Sequence, residues 1–266
     1  MKITLAFLLF LATVAHARTE LTGDITINVP ADKSTPQAAI DYVHQSLDLQ
    51  CKVVTIQVAN GSYGSVTVNG PFTGGCGPES VVLQGNMSNA LSVTMGNVSA
   101  SSGAQLTVKK VRTPQLTASG AGSRIIAYGL DFLGNPGNSH VNSTLGGYIG
   151  FIGSYTISGS ANTHYSASAF GVIDMEQPGS TILIRWDENG PDQSVVSFLR
   201  FAYPRYMGFI DHKGVSVIFN SGTSMAIYDY CWLTTFSSIH TETGNLNTYF
   251  SCPTNKPGNG ASGYVD

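Results

Sequence analysis

The stretch from Cys51 to Asn97, CKVVTIQVANGSYGSVTVNGPFTGGCGPESVVLQGNMSNALSVTMGN, constrains the fold more than any other part of the chain. It holds four short β-rich runs, Val53–Val58, Ser65–Val68, Ser80–Gln84 and Leu91–Thr94. Each is closed by a turn signal, in order Asn60-Gly61, Asn69-Gly70-Pro71, Gly85-Asn86 and Gly96-Asn97. Branched Cβ atoms suit a pleated surface, and Asn and Gly take the left-handed conformations that tight turns need. The gaps are too short to hold crossover helices. Two architectures remain: antiparallel hairpins, or a solenoid of parallel strands coiling round one axis.

The same rhythm continues beyond Asn97, in Gln105–Val111, Arg124–Tyr128, Tyr148–Ile152, Ala169–Met175, Thr181–Trp186, Val195–Phe201, Val215–Phe219 and Met225–Leu233. Its spacing is irregular, without the fixed period of a propeller or a leucine-rich array. The 30 glycines fit a turn-rich all-β chain. One helix is expected near the start. Ser34 or Thr35 can cap it, Pro36 suits its first turn, and Ala39, Ile40, Val43 and Leu47 recur at helical spacing.

The segment TIQVANGSYGSVTVNGPFTGG followed by VVLQGN resembles the start of the parallel β-helices of phage and prophage tail proteins, part of the wider pectate-lyase-like superfamily. The likeness continues more weakly in YTISGSANTHYSAS (Tyr155–Ser168) and PGNGASGYVD (Pro257–Asp266). It implies an all-β, single-domain, right-handed parallel β-helix over residues 51–266, with a short C-terminal tail. Residues 18–50 would form a lead-in and a helix capping the open N-terminal coil. An uncapped coil presents unpaired backbone groups and templates aggregation. The shared motifs are architectural and carry no catalytic residue.

Residues 1–17 read as a secretory signal peptide: one lysine, a run from Ile3 to Ala12 that is apolar but for Thr4, and Ala15-His16-Ala17 as a cleavage site. A buried first strand or a membrane anchor is the alternative, but no run approaches the ~20 residues of a spanning helix. The expected destination is extracellular or periplasmic. Removing Lys2 with the signal moves the net charge from −3 to −4, and a weakly acidic, charge-poor chain argues against nucleic-acid binding. Four cysteines, an even number, suit an oxidising compartment. Three pairings are possible, and locality favours Cys51–Cys76 with Cys231–Cys252; four buried thiols are the alternative.

Enzymes on the implied fold fall into two chemical groups. Hydrolases need carboxylates converging on a glycosidic oxygen, and the family's N-T-D, D-D, G-H-G and R-x-K patterns are missing here. Lyases use Ca²⁺ held by carboxylates and an Arg or Lys base. Asp174 and Glu176 share one face of a strand by alternation and are the candidate metal ligands. Phe209-Ile210-Asp211-His212 resembles the lyase W-I-D-H signature with Phe in place of Trp, so Asp211 and Arg205 would be the catalytic pair if the chain is a lyase. A capped turn at Asp211 and an ion-paired strand face at Asp174 are the structural alternatives.

Of 26 aromatic residues, 21 lie at or after Tyr128. They either stack inside successive coils or face outward as sugar platforms. The stretch Leu199-Arg200-Phe201-Ala202-Tyr203-Pro204-Arg205-Tyr206 cannot bury every ring and every guanidinium. Together with Trp186 it nominates Trp186, Arg200, Tyr203 and Tyr206 as ligand-binding residues. The leading expectation is therefore an exported, non-catalytic module without a cofactor, binding a polysaccharide or surface glycan. The rivals are a polysaccharide lyase or hydrolase, with Ca²⁺ as the lyase's cofactor, and a structural subunit that trimerises or polymerises through its sheets.

Overall fold

The computed structural model describes residues 18–175, 180–185, 195–211, 216–219, 224–232, 238–240 and 264–265. Short strands joined by tight turns satisfy their backbone by lying parallel to their counterparts one coil on, and this builds three walls. The first wall has ten strands, opening with Ile25–Val29, Val54–Val58, Val81–Gln84 and Gln105–Lys109, and ending with Phe209–Asp211, Ser238–His240 and Tyr264–Val265. The second is made of seven short strands from Gly61–Ser62 to Ser216–Phe219. The third has seven strands from Val66–Asn69 to Ser224–Trp232. From Val54 to Trp232 the described strands visit the walls in that order. The architecture is a β-helix-like solenoid of stacked parallel sheets, and the hairpin alternative is excluded.

Coil length varies from 18 residues, Val98 to its partner Leu116, to 37 residues, Val172 to Phe209. Apart from shifts between Asn135 and Ser139 and between Phe198 and Arg200, the described pairing stays in register, so one position repeats as a column. Ile27, Ile56, Leu83, Val108, Ala127, Phe151 and Met175 form such a column inside the first wall. Inside the third wall run Val66, Val98, Leu116, Val141, Tyr165 and Ala202. These belong to one continuous buried core. Where the third wall turns back to the first, Gly147, Gly171 and Gly208 recur. A Cβ at any of them would collide with the carbonyl of Ala118, Ser143 or Ala167 in the preceding coil.

The expected helix forms over Pro36–Ser46, with Thr35 as N-cap accepting from Ala38 N at 3.1 Å. Ala39, Ile40 and Val43 are buried and join the core. The helix packs on Ile25–Val29, Val54–Val58 and Val66–Asn69, the first strands of two walls. The Gln37 side-chain amide donates to Thr67 O (3.0 Å) and accepts from Thr67 N (2.7 Å), pairing backbone groups on the sheet's edge strand. Cys51 and Cys76 form a disulfide. Cys231 lies in the strand Ser224–Trp232, whereas Cys252 and residues 1–17 lie outside the described residues. No helix among the described residues is long and apolar enough to cross a membrane.

Candidate functional site

Alternation along the third wall sends one column inward and its neighbours outward. Thr67, Ser99, Thr117, Asn142, Ser166 and Tyr203 are in register in one outer column. Asn69, Ser101, Ser119, Thr144, Ser168 and Arg205 make the next. Hydroxyls bond along the columns: Ser99 Oγ to Thr67 Oγ1 at 3.1 Å, and Ser168 Oγ to Thr144 Oγ1 at 3.1 Å. This hydroxyl and amide face leads to Tyr203. Two guanidiniums flank that ring, Arg200 at 4.6 Å and Arg205 at 4.9 Å from its centroid. Arg205 also lies 6.0 Å from the Tyr206 ring.

Tyr206 sits in the turn between the third and first walls, and this corner has a repeated form. Leu145-Gly146, Ala169-Phe170 and Tyr206-Met207 occupy it in successive coils, all with positive φ. A left-handed conformation costs a non-glycine residue roughly 1–2 kcal/mol. The turns nevertheless carry large side chains into solvent, with Phe170 and Tyr206 each 62% exposed. The expected strand Ala169–Met175 therefore begins only at Val172, and its first two residues are turn. Sequence alone gives Phe170 the look of a strand residue, since it adjoins the β-prone run Val172–Met175. The matching triplets Ala169-Phe170-Gly171 and Tyr206-Met207-Gly208 signal its turn.

On the first wall Ile173, Met175 and Ile210 point inward and are buried, while Asp174 and Asp211 lie outward and face each other across adjacent strands. Tyr148 Oη donates to Asp174 Oδ2 at 2.8 Å, and the Arg124 guanidinium stands 4.5 Å from the Tyr148 centroid. Arg205 belongs to the third wall and Asp211 to the first. A Ca²⁺ ion takes six to eight oxygens. Asp174 and Asp211 supply two carboxylates on one face, and Glu176 lies outside the described residues. Among the described residues no three His, Cys, Asp or Glu side chains cluster as metal ligands.

The aromatic-rich half divides. Phe132, Phe151, Tyr155, Tyr165, Phe198 and Phe201 are interior, with edge-on and tilted ring contacts, whereas Tyr203, Tyr206 and Phe170 are not fully buried. Trp186 lies outside the described residues. His140 and His164, 24 residues apart in sequence, meet inside the core with Nδ1 atoms 3.0 Å apart. Tyr165 Oη donates to Met175 Sδ (3.5 Å), so its oxygen accepts from the adjacent Tyr155 hydroxyl. Tyr155 Oη then accepts from His164 Nε2 (2.7 Å), which leaves His164 Nδ1 to accept from His140 Nδ1–H. His140 Nε2 ends the chain, buried and without a hydrogen-bond partner. Burial lowers the His140 pKa to about 3, opposed by its interaction with the backbone of Leu133, so the imidazole is neutral. Burial raises both tyrosines above the ordinary phenol range.

A second polar group, absent from the sequence reading, lies on the second wall. Arg112 stands beside Asp131 in register, and its Nε meets Asp131 Oδ2 at 2.8 Å. Ser158 Oγ and Arg185 Nη2 reach the same oxygen, each at 3.0 Å. Asp131 is only 1% exposed, and its Oδ1 has no partner among the described residues. A cleft of about 510 Å³ opens over this cluster, between the loop at Ser88–Leu91 and the turns at Lys110, Gly129 and Ser154.

Fold and surface together define a β-helix-like solenoid with polar outer columns and an arginine–tyrosine platform. No protein-family model matches the chain, and no curated protein or solved structure is significantly similar to it.

Proposed function

We propose that this chain is a right-handed parallel β-helix of the pectate-lyase-like kind, exported from the cell, that binds glycans on its third wall without cleaving them. The observation that carries this reading is the Arg200–Tyr203–Arg205–Tyr206 group on the outer side of that wall. Sugar rings stack their C–H faces on aromatic planes, and guanidinium forks hold hydroxyls and carboxylates. The polar columns extend the platform coil by coil at the strand spacing of about 4.8 Å, so an extended saccharide lying along the axis meets a new hydroxyl or amide at each coil. The exposed rings of Phe170 and Tyr206 continue the surface round the corner. The helix Pro36–Ser46, with its buried face and its Gln37–Thr67 pairing, acts as the lid on the N-terminal end. The leader-like residues 1–17 and the Cys51–Cys76 bridge support export.

The test is a polysaccharide array followed by product analysis, with and without Ca²⁺. Tyr203→Ala and Tyr206→Ala are expected to weaken capture about tenfold each, a loss of ~1.4 kcal/mol, with no change in the ligand's length. The Asp174–Asp211 pair favours the enzymatic rival, since two carboxylates on one face can share acid–base work. Shortened or unsaturated products that vanish in Asp211→Ala or Arg205→Ala would replace the binding reading by that one.

A further inference from the structure

We propose that the cleft over the second wall is a separate binding site for a phosphate or sulfate monoester of a polyol, its oxyanion on Arg185 and Lys110 and a free hydroxyl donating to Asp131. The site is independent of the third-wall reading, since the residues that make it lie on a different face.

Charge comes first. Arg112 Nε already holds Asp131 Oδ2, so the second guanidinium, Arg185, is not required to compensate the carboxylate. Arg185 keeps 19% of its side-chain surface open. Lys110 makes no ion pair among the described residues, and it lines the same cleft. Two cations facing one opening attract an oxyanion, and a guanidinium fork binds it with directional hydrogen bonds.

The backbone sends Lys110 across the turn. Its φ is +52°, and Gly129, at φ +53°, lies under its side chain. A Cβ at Gly129 would come within 2.8 Å of both Lys110 Cε and Nζ. The glycine therefore gives the lysine stem its path across the turn towards the cleft.

The second half of the specificity comes from Asp131 Oδ1. A buried carboxylate oxygen without a donor is strongly unfavourable, and Asp131 is among the residues that line the cleft, its Oδ1 closed off at less than 1 Å² accessible until the side chain turns towards a ligand. A ligand hydroxyl satisfies it. A bare inorganic anion has less to offer that oxygen and meets its negative charge, while a neutral polyol leaves both cations unused. A molecule joining a hydroxyl to an esterified oxyanion uses every group, and the cleft's volume falls within the range of small-ligand sites.

The experiment is calorimetric titration of the full mature chain with glucose 6-phosphate, glucose 6-sulfate, glucose and inorganic phosphate. At least one ester should bind about tenfold or more tightly than glucose or inorganic phosphate, and which ester binds identifies the source of the oxyanion. Arg185→Gln and Lys110→Gly should each weaken ester binding about tenfold. Lys110→Gly suits the positive φ, so it tests the site even if Arg185→Gln folds poorly. Asp131→Asn should abolish the preference for ester over inorganic phosphate. Tyr203→Ala should leave all of this unchanged, which separates the site from the glycan platform. Absence of saturable ester binding by a chain with an unaltered unfolding midpoint overturns the proposal. So does ester binding that survives both Arg185→Gln and Lys110→Gly.

Discussion

Acid should loosen the core through His140, and the size of the effect follows from its burial. The imidazole is 0% exposed, and burial holds its pKa at about 3 against an ordinary 6.5. A folded-state pKa below the unfolded one means that the unfolded chain takes up the proton first as pH falls. The stabilisation is therefore complete above about pH 6.5 and is lost progressively between 6.5 and 3. At 1.36 kcal/mol per pH unit, lowering the pH from 7 to 5 removes about 2 kcal/mol. For a chain of this size that corresponds to a fall of roughly 4–8 °C in the melting midpoint.

His140→Phe isolates the term. Phenylalanine can keep the stacking on Phe132, whose centroid lies 5.4 Å from the imidazole, but it cannot donate to His164 Nδ1. The variant should lose about 1–3 kcal/mol at pH 7 for that unpaired buried nitrogen. It should also lose less stability than the parent between pH 7 and pH 5, by about 2 kcal/mol. Denaturant unfolding at pH 7, 6 and 5, for both chains, measures the two quantities separately. If parent and variant lose the same stability over that interval, His140 does not titrate as its burial requires.

Other consequences follow from the fold. Val43→Asp puts an unpaired carboxylate at a fully buried position of the helix, and should cost several kcal/mol and promote aggregation; a variant as soluble and heat-stable as the parent removes the lid. Cys51→Ser opens a bridge of sequence separation 25, worth about 3 kcal/mol in the chain-entropy model. Its midpoint should drop by roughly 6–12 °C, and an unchanged midpoint would show that the bridge does not stabilise the fold.

The parts legible in the sequence are those whose cause is local. Arg124–Tyr128 and Tyr148–Ile152 have the expected bounds, because each contains β-branched or aromatic residues and abuts a turn. Thr35 and Pro36 start the helix as their backbone chemistry dictates. The Cys51–Cys76 bridge follows from proximity along the chain. The arginine–tyrosine group was also readable, since Arg200, Tyr203, Arg205 and Tyr206 lie within a single strand and its turn. What escaped was non-local. Arg112–Thr113 and Asp131–Phe132 are two-residue strands with no periodicity to detect. Arg112, Asp131, Ser158 and Arg185 meet only because four coils of different length return to one wall. No repeat in the sequence gives those lengths in advance. His140 and His164 look unrelated for the same reason until Val141 is set opposite Tyr165 by the register of the third wall.

That register also ties the interior to the surface. Tyr165 lies opposite Ala202, and the next residues, the buried Ser166 and the half-buried Tyr203, lie opposite each other on the other face. The strand that anchors the histidine–tyrosine chain therefore pairs with the strand that carries the platform. A closely packed aromatic core transmits small displacements instead of absorbing them. The interior of the earlier coils is aliphatic, with side chains such as Leu83, Val98, Leu106 and Ala118. Further on, Phe132, Phe151, Tyr155 and Tyr165 fill it, and the polar atoms of Tyr155, Tyr165, His164 and His140 bond to one another except at His140 Nε2. The arginine–tyrosine group thus stands on the strand that pairs with and packs against this hydrogen-bonded aromatic core. On the glycan reading proposed above, a rigid platform would lose little freedom when a flexible sugar chain settled on it, and this would offset the small contribution of each stacking contact.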